Sequence, residues 1–139
     1  MEDISLHILD IAENALRAGA KNVFVRLAQS KRDDRLVLEV TDDGEGMNDE
    51  ARIRSVDPFY TTKRGKRVGL GLPLLAQAAE EAGGELEVQS APGKGTKVIA
   101  TLGLSHIDRK PLGNIKETLQ CLRATHPEVC FRFESVETD

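Results

Sequence analysis

Ser5 to Ala20, SLHILDIAENALRAGA, constrains this chain more than any other stretch. At about 100° per residue it reads as a helix. Leu6, Leu9, Ala12, Ala15 and Leu16 then supply an apolar stripe at the i, i+3, i+4 spacing of a core-facing helix. His7, Asp10 and Asn14 follow at i, i+3 and i+7 and share another face within roughly 60°. A buried helix does not ordinarily stack an acid and an amide one turn apart, so this face reads as one wall of a polar site. Ala18-Gly19-Ala20 stops the helix, with Gly19 suited to a left-handed cap.

The next segments alternate in the rhythm of strands. Asn22 to Leu27 (NVFVRL) and Leu36 to Thr41 (LVLEVT) are rich in β-branched and aromatic residues and flank a polar turn, which predicts an antiparallel hairpin. Asp42-Asp43-Gly44-Glu45-Gly46 breaks the second strand, and Asn48 is placed to cap a short helix through about Val56. Asp57 to Val68 is too rich in basic, Gly, Pro and Thr residues for a regular element and reads as a loop. Gly69-Leu70-Gly71-Leu72-Pro73 opens a helix to about Ala82, with Pro73 tolerated in the first turn. Glu85 to Gln89 and Thr96 to Leu102 are strands joined through Gly93-Lys94-Gly95. The order predicts an α+β protein: a two-layer α/β sandwich with a mixed, mostly antiparallel sheet and helices on one face.

From Ser105 the pattern changes. Ser105 to Pro111 is a polar link, Leu112 to Ala124 a helix and Val129 to Val136 a strand. Thirty-odd residues cannot hold a core of their own. Residues 105–139 are therefore expected to extend the domain formed by residues 1–104.

Among 139 residues, 19 basic against 23 acidic side chains leave −4, which argues against nucleic-acid binding across the surface. No run approaches the ~20 apolar residues of a membrane span and no leader opens the chain, so a cytoplasmic protein without membrane contact is expected. Cys121 and Cys130 have no zinc spacing and are expected to be buried free thiols.

Four short motifs need one explanation. Asp10 and Asn14 lie on the first helix, and Asp42-x-Gly44-x-Gly46 ends a strand. Lys63, Arg64, Lys66 and Arg67 crowd one loop, and Gly69-Leu70-Gly71-Leu72 begins a helix. Alone, each has a bland reading as a turn, a packing glycine or a solvated surface. In this order they resemble the ATP-binding domain shared by DNA gyrase, the ninety-kilodalton heat-shock chaperones, sensor histidine kinases and mismatch-repair ATPases, the Bergerat or GHKL fold. DIAENALRAGA resembles its first motif and TDDGEGM its second. DPFYTTK followed by GLGLPL resembles the histidine-kinase lid and glycine box, and PGKGTKVIATL the last hairpin. The likeness runs from about Leu6 to Leu104.

The resemblance implies ATP or ADP with Mg²⁺ as the ligand and assigns roles by position. Asn14 offers its amide oxygen to Mg²⁺, a cation that prefers oxygen ligands and keeps several waters, with Asp10 reaching it through water. Asp42 accepts a hydrogen bond from the adenine amino group, and Gly44 and Gly46 let the backbone pass close to the base beside Met47. Thr96 supports Asp42 directly or through a water. Gly69 and Gly71, with Leu70 and Leu72, present backbone N–H groups to the phosphates at a helix N-terminus. Lys63, Arg64 and Arg67 screen the γ-phosphate from the lid. Asp10 stands where hydrolysing relatives carry a glutamate that activates water. Its shorter side chain leaves the alignment of that water open.

Two departures stand out. Arg67 holds the first position of the usual Gly-x-Gly-x-Gly box. The phosphoaccepting hairpin of sensor kinases is also missing ahead of the first motif, so a stand-alone domain is expected. His7 reads as a residue supporting the site, and His106 as part of the link. The leading expectation is an ATP-binding protein of the histidine-kinase or anti-sigma-kinase type that phosphorylates or regulates a separate partner protein. The alternative is a nucleotide sensor or slow ATPase assisting a larger complex. Here SHIDRKPLG resembles small ATP-binding proteins accompanying bacterial iron hydrogenases and related redox complexes. A homodimer through the first helix or the open edge at Val129 to Val136 is a further expectation.

Overall fold

The structure is a computed structural model, and it describes residues 3–57, 71–106, 109 and 111–138. Helix α1 spans Ile4–Arg17, and Asp3 caps it by accepting the Leu6 N–H at 3.0 Å. Two more first-turn donors, the N–H groups of Ile4 and Ser5, reach the carbonyls of Pro111 and Leu112 at 2.8 and 3.0 Å. The link into the tail thus satisfies helix-end groups that have no partner within the helix. Gly19 closes the helix at φ +79°, in the left-handed region that its missing Cβ permits.

β1 (Asn22–Ser30) and β2 (Arg35–Asp42) form the antiparallel hairpin, with Val25 opposite Val40 and Ser30 opposite Arg35. Asn48 caps the short α2 (Asp49–Ser55), its side chain accepting the Ala51 N–H at 2.8 Å. Helix α3 runs Gly71–Glu81, and β3 (Glu85–Ser90) pairs antiparallel with β4 (Thr96–Gly103). α4 (Ile115–Thr125) and β5 (Cys130–Thr138) complete the described elements. The sheet order is β3-β4-β2-β1-β5, with β5 parallel to β1 and the other pairs antiparallel. The tail strand is therefore an outer strand of the same sheet. The result is an α+β two-layer sandwich.

Period-two alternation decides the packing. Val23, Val25 and Leu27 of β1, Leu36, Leu38 and Val40 of β2, and Val98, Ala100 and Leu102 of β4 are all buried, while their sequence neighbours face the other way. Against them lie Ile4, Ile8 and Ile11 of α1, Leu75 and Ala79 of α3, and Leu119 and Leu122 of α4. Among the described residues, no helix is long and apolar enough to cross a membrane.

Two expectations are corrected. The buried stripe of α1 is Ile4, Ile8, Ile11, Ala12 and Ala15; Leu6 is 44% exposed, and Leu9 and Leu16 are only partly covered. The helix carries apolar residues around more than half its circumference, so periodicity alone admits either stripe. The two cysteines are exposed rather than buried. In β5 the parity that turns Phe131 inward turns Cys130 outward, and in α4 Cys121 lies off the Ile115–Leu119–Leu122 stripe.

Candidate functional site

A cavity of about 270 Å³ opens where the last turns of α1, the segment after β2, the start of α3 and the start of β4 converge. Ile11, Ala15, Met47, Leu72 and Val98 supply apolar wall, and Asn14, Arg17, Asp42, Glu45, Ser55 and Thr96 the polar positions. A mostly apolar recess with a few placed polar groups is the usual form of a small-molecule site.

Asp42 is the last residue of β2 and sits opposite Thr96, the first of β4. Its Oδ1 accepts the Gly44 N–H at 2.8 Å. Burial pushes its carboxyl above the ordinary value, and the Asp43 charge adds to that rise, against the pull of the Gly44 and Thr96 backbone N–H groups. Asp43 has opposite surroundings. It is exposed and accepts from the Asn22 amide side chain at 2.8 Å and from the backbone N–H groups of Lys21 and Asn22 at 2.8 and 2.9 Å. These bonds, led by the Asn22 side chain, hold its carboxyl below the ordinary range.

The segment between them and α2 is pinned from two sides. Glu45 N–H donates to the Ala18 carbonyl at 2.9 Å, and Gly93 N–H to the Glu45 carbonyl at 2.7 Å. Met47 N–H donates to Ser90 Oγ at 2.8 Å, and Ser90 Oγ donates to the Gly95 carbonyl at 2.9 Å. A serine hydroxyl has one proton to give. With that proton on Gly95, the 2.9 Å contact between Ser90 and Thr96 Oγ1 is donated by Thr96. Thr96 therefore meets Asp42 directly through its backbone N–H and commits its hydroxyl proton to Ser90.

The glycines owe their place to the protein itself. A Cβ at Gly44 would lie 3.0 Å from Ala18 Cβ, Ala18 O and Asp42 Oδ1; one at Gly46, where φ is +73°, would overlap the Ala91 carbonyl. The close approach seen here is to Ala18 and the β3–β4 turn. Gly46 lines the cavity; Gly44 is buried and acts from behind, through the N–H it lends to Asp42.

Of the residues expected from sequence, Asn14, Asp42, Gly46, Met47, Leu72 and Thr96 are brought together around the cavity. Asp10 lies one turn before Asn14, half-buried and apart from the cavity-lining residues. Gly71 begins α3. Lys63, Arg64, Arg67, Gly69 and Leu70 lie outside the described residues. His7 is only 2% exposed, on the core side of α1, so its ring is not presented to a ligand. His106 packs its ring beside Gly83 and Gly103, at the far end of β4 from Thr96 and about 20 Å away by strand rise.

Sequence reasoning missed three polar residues of the cavity wall, Arg17, Glu45 and Ser55, and also Ser90. Arg17 lines the cavity and its guanidinium donates to Asn14 Oδ1 at 2.5 Å; its i+3 spacing from Asn14 was the available signal. Ser90, which ties Met47 to Gly95 and Thr96, has no local signal at all.

The family of histidine kinase-, DNA gyrase B-, and HSP90-like ATPases matches residues 2–106. The chain belongs to this family. Sporulation kinase C of Bacillus subtilis is 36% identical over 88 residues, 63% of this chain and 20% of that protein. Sensor protein kinase FleS of Pseudomonas aeruginosa is 37% identical over 111 residues, 79% of this chain and 27% of that protein. Among solved structures, full-length ShkA in complex with AMPPNP superposes with a TM-score of 0.56 at 26% identity, covering 70% of this chain and 20% of that one. The chain thus spans roughly a fifth to a quarter of these relatives' lengths. It is an ATP-binding domain of the histidine-kinase type, and the family match ends before α4 and β5.

Proposed function

We propose that the cavity takes the adenine and ribose of ATP or ADP, with Asp42 selecting the base. The observation that carries this reading is the Asp42 carboxylate: a half-buried acceptor, steadied by the Gly44 and Thr96 N–H groups, at the wall of a largely apolar recess. An acceptor-only group there favours the exocyclic amine of adenine over the carbonyl of guanine, because a mismatched partner leaves a buried polar group unpaired. Gly46, Met47, Leu72 and Thr96 line the same recess.

Among the described residues, no three His, Cys, Asp or Glu side chains cluster as a metal site. Mg²⁺ often keeps several waters and takes few protein ligands beside phosphate oxygens. Asn14, whose amide oxygen is a hard donor on the cavity wall, fits that role, with Asp10 contributing through water. Arg17 now occupies that oxygen and is placed to turn to a phosphate when the cation takes its position. Gly71 at the start of α3, and Lys63, Arg64, Arg67, Gly69 and Leu70 ahead of it in the sequence, are assigned to the phosphates. Asp10 is assigned as the base for water in any slow hydrolysis.

On this reading the protein acts in the cytoplasm, binding Mg–ATP to phosphorylate or regulate a separate partner protein. The sequence similarity to sporulation and sensor kinases supports it. Calorimetry with ATP, ADP and GTP, each with and without Mg²⁺, is the direct test. ATP and ADP binding that GTP does not share, and that Asp42→Asn removes, is the expected result; equal affinity for GTP overturns the assignment. Transfer of labelled phosphate to a co-purified protein separates a kinase from a sensor. An unchanged hydrolysis rate in Asp10→Asn removes Asp10 from catalysis.

A further inference from the structure

The two edges of the sheet differ. β3 is only six residues long, with Glu85 and Glu87 exposed. β5 is nine residues long, keeps unbroken register with β1 from Cys130 to Thr138, and contains no Pro, Gly or Lys. Among the described residues nothing pairs with its outer side. Natural sheets rarely leave so long and regular an edge open.

The backbone parity of this edge is determined. Cys130 N–H donates to the Lys21 carbonyl, so the even-numbered residues of β5 turn their N–H and C=O groups toward β1. Phe131, Phe133 and Ser135 turn theirs outward. Arg123 confirms this parity by reaching the Phe131 carbonyl from α4, at 2.7 and 3.2 Å. That carbonyl thus already accepts two donors, which leaves the Phe131 N–H and both backbone groups of Phe133 and Ser135 for a pairing strand. The side chains divide by the same alternation. Phe131 and Phe133 share the buried face with Val23 and Val25, while Arg132 and Glu134 share the open face with Phe24 and Arg26. On that face Arg132 lies 5.1 Å from the Phe24 ring centroid, and Arg26 pairs with Glu134 at 2.9 Å.

We propose that the β5 edge binds a second copy of this chain, pairing antiparallel about a two-fold axis at Phe133. A two-fold across one edge places residue i opposite j with a constant sum, so few registers keep the strands overlapped. Centred on Arg132 the junction sets Arg132 against itself, and centred on Glu134 it sets Glu134 against itself. Centred on Ser135 it spends Glu134 on Val136 and Arg132 on Thr138. Centred on Phe133, Arg132 of each copy faces Glu134 of the other. Those two residues then form non-hydrogen-bonded pairs, where facing side chains come closest. The outward backbone groups of Phe133 meet their own copies, and the Phe131 N–H meets the Ser135 carbonyl, the Phe131 carbonyl staying with Arg123. Glu39, Arg26 and Glu134 already alternate in charge across the sheet, and Arg132 of the second copy continues the row. The two half-buried Phe133 side chains meet at the axis.

The register is testable through the native exposed Cys130, which this pairing sets opposite Val136. In the 139-residue chain carrying Cys121→Ser, Val136→Cys should give a disulfide-linked dimer under oxidised glutathione, whereas Thr138→Cys and the Cys121→Ser parent should not. Light scattering of the unmodified chain at tens of micromolar should give twice the monomer mass. Arg132→Glu should weaken the dimer about tenfold or more, with its circular dichroism unchanged. A monomer at that concentration, no cross-link in Val136→Cys, equal cross-linking of Thr138→Cys, or an Arg132→Glu dimer of undiminished affinity overturns the proposal.

Discussion

The end of β2 at Asp42 and the turn that starts at Asp43 place two identical side chains in opposite surroundings. Asp42 loses water to the cavity wall and Thr96, keeps two backbone donors, and has its carboxyl pushed upward by burial. Asp43 stays in solvent, gathers three donors from Lys21 and Asn22, and has its carboxyl held down. On the proposed reading one residue serves a ligand at some cost to the fold, and the other fastens the fold that holds it. A charge is useful to a ligand where the protein has left it under-satisfied, and useful to stability where it has not.

The largest expected effect tests the first half of that contrast. Asp42→Asn keeps the shape but can turn an NH₂ toward the adenine amino group, setting donor against donor. ATP affinity measured by calorimetry should fall by about 2–3 kcal/mol, or about a hundredfold. Next, Asp43→Ala removes three hydrogen bonds between the β2 end and the start of β1. Urea unfolding should show about 1–2 kcal/mol less stability, with ATP affinity within about threefold of the parent. A large affinity loss in Asp43→Ala would erase the distinction between the two residues.

pH sharpens the comparison because the two shifts have opposite signs. Asp43 has a lowered folded-state value, so its contribution is present above the ordinary carboxylate value of 3.8 and is lost as pH falls through the lower folded value. Asp42 has a raised value, so its ionisation costs the nucleotide-free fold stability as pH rises above 3.8 through the folded value. Urea midpoints across pH 3–7 should therefore show a shallower acid limb in Asp43→Ala. Nucleotide-free Asp42→Asn should be more stable than the parent at neutral pH, with an advantage that shrinks on acidification. The smallest effect belongs to Asn22→Ala, which removes only the Nδ2 bond to Asp43 Oδ2. It should cost about 0.5–1 kcal/mol in the same urea assay, and its double-mutant cycle with Asp43→Ala should show coupling.

Much of the architecture was legible because its signals are local. Alternation over Asn22–Leu27 and Leu36–Thr41 marks a half-buried hairpin whatever surrounds it, and Asn48 and Gly19 mark helix ends through chemistry within a few residues. Six expected site residues converge on one cavity: Asn14, Asp42, Leu72 and Thr96 sit within a turn of readable element ends, and Gly46 and Met47 lie in the segment between β2 and α2. The misreadings concern direction. On α1 two apolar stripes satisfy the same period, and only the sheet's Val23, Val25 and Leu38 decide that Ile4, Ile8 and Ile11 face inward and Leu6 outward. Cys130 likewise follows from the pairing of Phe131 with Val23, a register that no residue of the tail announces.

The sequence by itself determined the elements, their order, the family and part of the cavity's lining, since periodicity, caps and motifs act over a turn or a strand pair. Tertiary structure alone decided which side of each element meets the core. It decided that Gly46 serves the Ala91 carbonyl, and that Ser90 holds Met47 and Thr96 in place. It also set two adjacent aspartates to different work. Burial and hydrogen-bond supply are properties of what the fold brings near a side chain, and two identical neighbours in a chain carry no record of which will receive them.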